Sequence, residues 1–150
     1  MRLAPILPAL ILPAAAFAQT VAPPPGVGVD RVTLHPGETK AFTLAPGQAH
    51  QLLVATDPAH PAAKAITVRY EVTGSTSRIT ATSRTGTTLG FTVLADPDGD
   101  GGFKPAGDIA DLPGNGTPVS RDWPGNLGMI NIGDFVGGSH GDHPHQPSGG

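Results

Sequence analysis

The chain has no cysteine. No disulfide can staple it, so the fold must rest on a hydrophobic core or on a metal. Aromatic residues are scarce, with one Trp, one Tyr and five Phe. A glycan site built on stacked aromatic platforms therefore has one candidate, Trp123 in a Pro-Gly turn, and a large indole plugging the end of the fold is the preferred reading. There is no basic stripe, which sets nucleic acid aside as a partner. Helix-length segments free of glycine and proline are nearly absent, with 21 Gly and 17 Pro in 150 residues, and this argues against an α fold. Past the first residues, no apolar run reaches the roughly 20 residues that a membrane helix needs.

The chain opens with MRLAPILPALILPAAAFAQ. Arg2 is a short positive region, and the apolar run that follows is too short for a stable span. Ala16-Phe17-Ala18 fits the small-x-small cleavage rule. We expect a signal peptide over 1–18 and a mature chain from Gln19, located in the periplasm or secreted, with no membrane span after cleavage. High Ala, Gly and Pro with this short leader point to a bacterium. Losing Arg2 takes the formal charge from −3 to −3 − 1 = −4, mildly acidic and scattered.

Residues 19–29, QTVAPPPGVGV, read as a Pro/Gly-rich linker. From Asp30 the period becomes two. Val32 and Leu34, then Phe42 and Leu44, alternate with polar residues, and a third strand covers His50 to Ala55. Two Pro-Gly turns, at Pro36-Gly37 and Pro46-Gly47, echo each other and suit type II geometry, which implies an antiparallel meander. Asp57 to Ala63 reads as a loop. The clearest strand has Ile66, Val68, Tyr70 and Val72 on one face. Ile79 and Ala81, then Leu89, Phe91 and Val93, form further inward rows. Beyond Ala95 the chain turns Gly-, Asp- and Pro-rich, with a second pair of turn echoes at 111–115 and 122–126. Residues 127–136 form the last expected strand, with Met129, Asn131 and Phe135 on one face and Ile130, Ile132 and Val136 on the other. Residues 137–150 are a Gly/His-rich tail with little to bury, expected to be disordered. These spacings predict an all-β fold over 30–136: a small antiparallel β-sandwich, Ig-like in outline, of about seven or eight strands, with a small barrel as the alternative.

Few residues carry chemistry. In DPDGDGGFKPAGD, Asp96, Asp98, Asp100 and Gly101 match the first half of a helix-loop-helix calcium loop. The twelfth position is Gly107, no helix flanks it, and that motif is rejected. A looser calcium cage closed by Asp108 or Asp111 stands beside the plainer reading of a solvated turn. In the tail, His140, Asp142, His143 and His145 are donors for Zn, Cu or Ni, against the reading of a tail merely frequent in His. His35, His50 and His60 lie near turns or strand starts and read as ordinary surface residues. Ser120, Asp122 and a tail His supply the letters of a hydrolytic triad without a nucleophile elbow, and no enzyme is expected. The sequence reading is an exported β-sandwich binding or structural module that engages a protein partner in the cell envelope. A calcium-stabilised module and a metal-handling protein are the alternatives.

Overall fold

The structure is a computed structural model and describes residues 26–48 and 50–137. The expected signal peptide, residues 19–25 of the expected linker, and residues 138–150 of the tail, with His140, Asp142, His143 and His145, lie outside the described residues.

Ten strands follow one another: β1 Gly28–Val29, β2 Arg31–Leu34, β3 Thr39–Ala45, β4 Leu52–Thr56, β5 Ile66–Thr73, β6 Thr76–Ser83, β7 Leu89–Asp96, β8 Lys104–Leu112, β9 Val119–Pro124 and β10 Met129–Gly137. They form two sheets, a six-stranded one in the order β1-β4-β3-β5-β6-β9 and a four-stranded one in the order β2-β10-β7-β8. All strand pairs are antiparallel. The fold is a small all-β sandwich. Among the described residues no helix is long and apolar enough to cross a membrane.

The strands that the period-two pattern marks most clearly sit at the centre. Ile66, Val68 and Tyr70 of β5 and Ile79 and Ala81 of β6 are buried, as the alternation predicts. These two strands join through a two-residue turn between the paired Thr73 and Thr76, where Gly74 takes φ 59°. Across the core, the Phe135 ring stacks on Phe91 at 4.8 Å and meets Phe42 edge-on at 5.3 Å, so the two sheets interlock through aromatic rings.

Several expectations change. The Pro36-Gly37 turn does not join a meander, because β2 and β3 belong to different sheets. The turn instead carries the chain from one layer to the other so that Leu34 and Phe42 can both be buried in the core. Gly37 holds the left-handed φ expected there, at 88°, and its amide bonds the Tyr70 carbonyl at 2.8 Å. Gly47 does not adopt that conformation, since Ala45 pairs with Leu52 and a longer loop joins β3 to β4. Asp122, Trp123 and Pro124 belong to strand β9 rather than to a turn. Leu112 ends β8. The polar stretch after Ala95 therefore hides two strands. Its Pro105 is tolerated because β8 is a sheet edge, where a missing N–H costs no ladder bond. At the other end, Gly28–Val29 pairs with β4, and the chain switches sheets at Asp30. The last two residues of the expected linker are thus part of the sandwich, and the switch closes that side.

The turn at His35–Glu38 is held by the Glu38 carboxylate, which accepts the His35 amide at 2.7 Å. Partial burial works to raise the Glu38 carboxyl, but the His35 amide and the nearby Lys40 ammonium outweigh it and hold the carboxyl below its ordinary value. A depressed folded value means the contribution is present above the unfolded carboxyl range and is lost as pH falls through the folded value. Glu38 is 41% exposed, so the effect is discounted for solvent. Glu38→Gln is expected to cost less than about 1 kcal/mol at pH 7. In urea unfolding, the gap between wild type and variant is expected to shrink and vanish as the pH falls through the depressed Glu38 value; a gap unchanged at low pH would mean the charge is not the cause.

Candidate functional site

The aspartate loop follows β7 directly. Asp96 is 1% exposed and turned inward. Its Oδ1 accepts the amides of Gly99 at 3.0 Å and Asp100 at 3.3 Å, and its Oδ2 accepts the amide of Gly101 at 2.8 Å. The loop folds around this carboxylate, with Gly99 at φ 70° and Gly101 at φ 85° supplying curvature that a side chain would resist. Asp100 accepts the Gly102 amide at 2.8 Å, and that bond chiefly holds its carboxyl below the ordinary value. Asp98 is exposed. Asp108 does not join them. It pairs with Thr92, four positions back along β7 from Asp96, a separation of about 13 Å at the strand rise. Asp111 lies further still along β8. Among the described residues, no group of three or more His, Asp or Glu gathers to hold a metal ion.

The three described histidines do not converge. Each faces a different carboxylate: His35 Nδ1 lies 3.4 Å from Glu38, His60 Nδ1 lies 3.3 Å from Asp57, and His50 Nε2 lies 3.9 Å from Asp134. Ser120 pairs with Thr80 at 2.9 Å, and Asp122 pairs with Arg78 at 2.7 and 2.8 Å. The Arg78 hydrogen bonds pull the Asp122 carboxyl down. Trp123 is no exposed platform: it is 7% exposed, and its indole N–H bonds the Ala106 carbonyl at 3.0 Å.

The most organised polar cluster was not visible in the sequence. It is built by a bulge in β10, where the register with β7 shifts between Gly133 and Val136. The extra residue reverses the alternation, so that Phe135 joins Ile130 and Ile132 in the core and Val136 stands 40% exposed. The strict period-two assignment of those faces is corrected accordingly. Asp134 sits at the bulge with φ 53°, a conformation that non-glycine residues rarely adopt and that Asp tolerates better than most.

Two elements hold the Asp134 side chain, and a third approaches it. From β2, the Arg31 guanidinium donates to Oδ2. From β7, the Thr92 hydroxyl donates to the same oxygen at 2.8 Å. From the loop before β4, His50 Nε2 faces Oδ1. Gly133 lies flat against β2 because a Cβ there would meet the Asp30 carbonyl oxygen at 2.7 Å. Two depressions flank the bulge. One, of about 200 Å³, lies on the outer face of the four-stranded sheet between Thr92, Asp108, Ala110, Asp134 and Val136. The other, of about 630 Å³, opens at the end of the sandwich between Pro46, His50, Gln51, Phe135 and Gly137.

Edges and faces of the sandwich differ in what they offer. Two carbonyls of edge strand β8 are taken by side chains of β9, since Arg121 donates to Asp108 and Trp123 to Ala106. On edge strand β2, Lys40 donates to the Thr33 carbonyl at 2.6 Å. Edge β1 is two residues long. Edge β9 carries charged Arg121 and Asp122 and ends in Pro124. These are the devices that keep an edge from adding a foreign strand. On the outer face of the six-stranded sheet, Arg78 pairs with Asp122 and Arg69 with Glu71 at 2.6 Å. The outer face of the four-stranded sheet is the one that combines a recess, an exposed Val136 and an Asp108 carboxylate without an ion pair among the described residues. No protein-family model, no curated protein and no solved structure matches the chain.

Proposed function

We propose that the protein is an exported binding module without catalytic activity, which engages a protein partner in the cell envelope through the outer face of its four-stranded sheet. The observation that carries this reading is the 200 Å³ recess beside the β10 bulge, with Val136 and Ala110 as apolar wall and Asp108 at its rim. A recess of that size accepts one apolar side chain, and a carboxylate at its rim without an ion pair among the described residues favours a Lys or Arg beside it. The capped edges favour recognition by a face over strand addition. Ala110→Arg places a long cationic side chain across the recess on an exposed strand position. Wild type is expected to capture a saturable partner from envelope extracts by cross-linking, and Ala110→Arg, with unchanged melting, is expected to lose at least about tenfold in that capture. Equal capture by both proteins would place the interface elsewhere, and no saturable capture by wild type would overturn the reading.

A further inference from the structure

We propose that Asp98, Asp100 and Asn115 are spontaneous covalent-modification sites that the fold holds in check by engaging the backbone amide of the glycine after each one. The inference is independent of the partner-binding reading.

The chain places Asp or Asn directly before glycine at Asp98-Gly99, Asp100-Gly101 and Asn115-Gly116. With no Cβ, glycine leaves its amide nitrogen open to the side chain that precedes it. In a flexible chain that nitrogen gives up its proton and attacks the side-chain carbonyl carbon. A C–N bond closes a five-membered succinimide. Ammonia leaves from Asn, or water from a neutral Asp, and carries the proton away. Water then adds to either ring carbonyl and breaks the bond from that carbon to nitrogen. One cleavage returns ordinary aspartate. The other leaves isoaspartate, in which the main chain runs through the side chain. The co-reactant is solvent water, and all three side chains are exposed to it.

In the folded chain each of the three nitrogens is engaged. Gly99 donates to Asp96 Oδ1 at 3.0 Å, and Gly101 donates to Asp96 Oδ2 at 2.8 Å. Gly116 donates to the Ser83 carbonyl at 2.7 Å. Attack requires the nitrogen to release its proton and turn its face toward the side chain. A hydrogen bond opposes both, since it holds the proton and fixes the peptide plane. At the first two sites the acceptor is a carboxylate, whose charge also repels the negative nitrogen that attack requires. Asp96 cannot form the ring itself, because Pro97 follows it and has no N–H to give up. The Gly102 amide chiefly holds the Asp100 carboxyl below its ordinary value, which shrinks the neutral fraction from which water can leave. At Asn115 the Thr117 amide donates to the side-chain carbonyl at 3.0 Å, a contact that polarises the carbonyl toward attack. Protection there rests on the Gly116 amide, and its loop is pinned by backbone. Ser83 is buried at the end of β6, and the Gly86 amide donates to the Gly114 carbonyl at 3.0 Å. Each site therefore reacts when its loop opens.

The test is incubation of the full chain in mildly alkaline buffer, with and without guanidinium, followed by peptide mapping that resolves isoaspartate and deamidation residue by residue. Each of the three steps is expected to run at least about tenfold slower in the folded chain than in guanidinium. Asp96→Ala is expected to speed isoaspartate formation at Asp98 and Asp100 at least about fivefold, with Asn115 unchanged as the internal control for global unfolding. Asp96→Asn keeps the volume of the side chain and removes its charge, so it tests the guard even where the alanine variant fails to fold. It is expected to raise the same two rates and leave Asn115 unchanged. Equal rates in the folded and denatured chain would overturn the proposal. So would unchanged rates at Asp98 and Asp100 in Asp96→Asn, or a rise at Asn115 as large as theirs.

Discussion

Replacing Asp96 by alanine is expected to lower the thermal midpoint by about 10 °C or more. The carboxylate is buried and accepts three backbone amides. Hydrogen bonds to a charged group contribute roughly 1.5–3 kcal/mol each, and an amide left unpaired loses its hydration without return. The three bonds share one loop and do not add fully, so a loss of about 3–5 kcal/mol is the reasonable sum. For a domain near this size that is about 10–20 °C. Alanine at position 98, an exposed residue with no such partners among the described residues, is expected to stay within about 0.5 kcal/mol. The pair separates two accounts of the same stretch. If the aspartates formed a cation cage, Asp96 and Asp98 would act together and millimolar calcium would raise the wild-type midpoint. The geometry turns Asp96 toward its own backbone, so the wild-type midpoint is expected to be the same in EDTA and in calcium. A rise of several degrees in calcium, or equal losses in the two variants, would return the loop to metal binding.

Trp123→Ala carries the other large effect, about 3–5 kcal/mol in urea unfolding. The indole is the largest apolar surface on β9 and sits between the edges of the two sheets. It does three things at once. It fills the side of the core, its N–H takes the Ala106 carbonyl, and its ring lies 4.7 Å beneath the Arg121 guanidinium, which itself bonds the Asp108 carbonyl. Removal leaves a cavity, an unpaired edge carbonyl and a loosened arginine. Trp123→Phe keeps most of the area and loses the hydrogen bond, so it is expected to cost about 1–2 kcal/mol. Hydrogen exchange gives the spatial check: in Trp123→Ala, protection is expected to fall first along β8 and β9, while β5 and β6 keep theirs. A loss below 1 kcal/mol would mean the sheets are closed on that side by other contacts.

The fold was legible where burial is one-sided and the strand is central. In β5, β6 and β7 the alternation of Ile, Val, Leu and aromatic residues with Thr and Arg reports directly which face meets the core. β8 and β9 were illegible for the opposite reason. An edge strand pays little for Pro105, and the β8 run of Ala, Gly and Asp has weak strand preference. It is a strand because β7 offers it a ladder. The same limit applies to the bulge in β10. One added residue at Asp134 flips Phe135 inward, and the letters Ile-Gly-Asp-Phe look like ordinary alternation until the partner strand sets the register.

What the sequence determined by itself was the class of fold and its chemical poverty: no cysteine, few aromatics, glycine and proline too frequent for helices, and a period of two from residue 30 onward. Those are properties of composition and of neighbours along the chain. What only the tertiary structure decided was which polar groups meet. Asp96, conspicuous in the sequence as a cation ligand, spends its carboxylate on amides three to five residues ahead, because the loop after β7 closes over it. Arg31, Thr92, His50 and Asp134, scattered over a hundred positions and silent as a motif, converge because β2, β10 and β7 lie side by side and the β3–β4 loop reaches over their end. Side-chain chemistry is written residue by residue, but proximity between distant residues is created only by the pairing of strands.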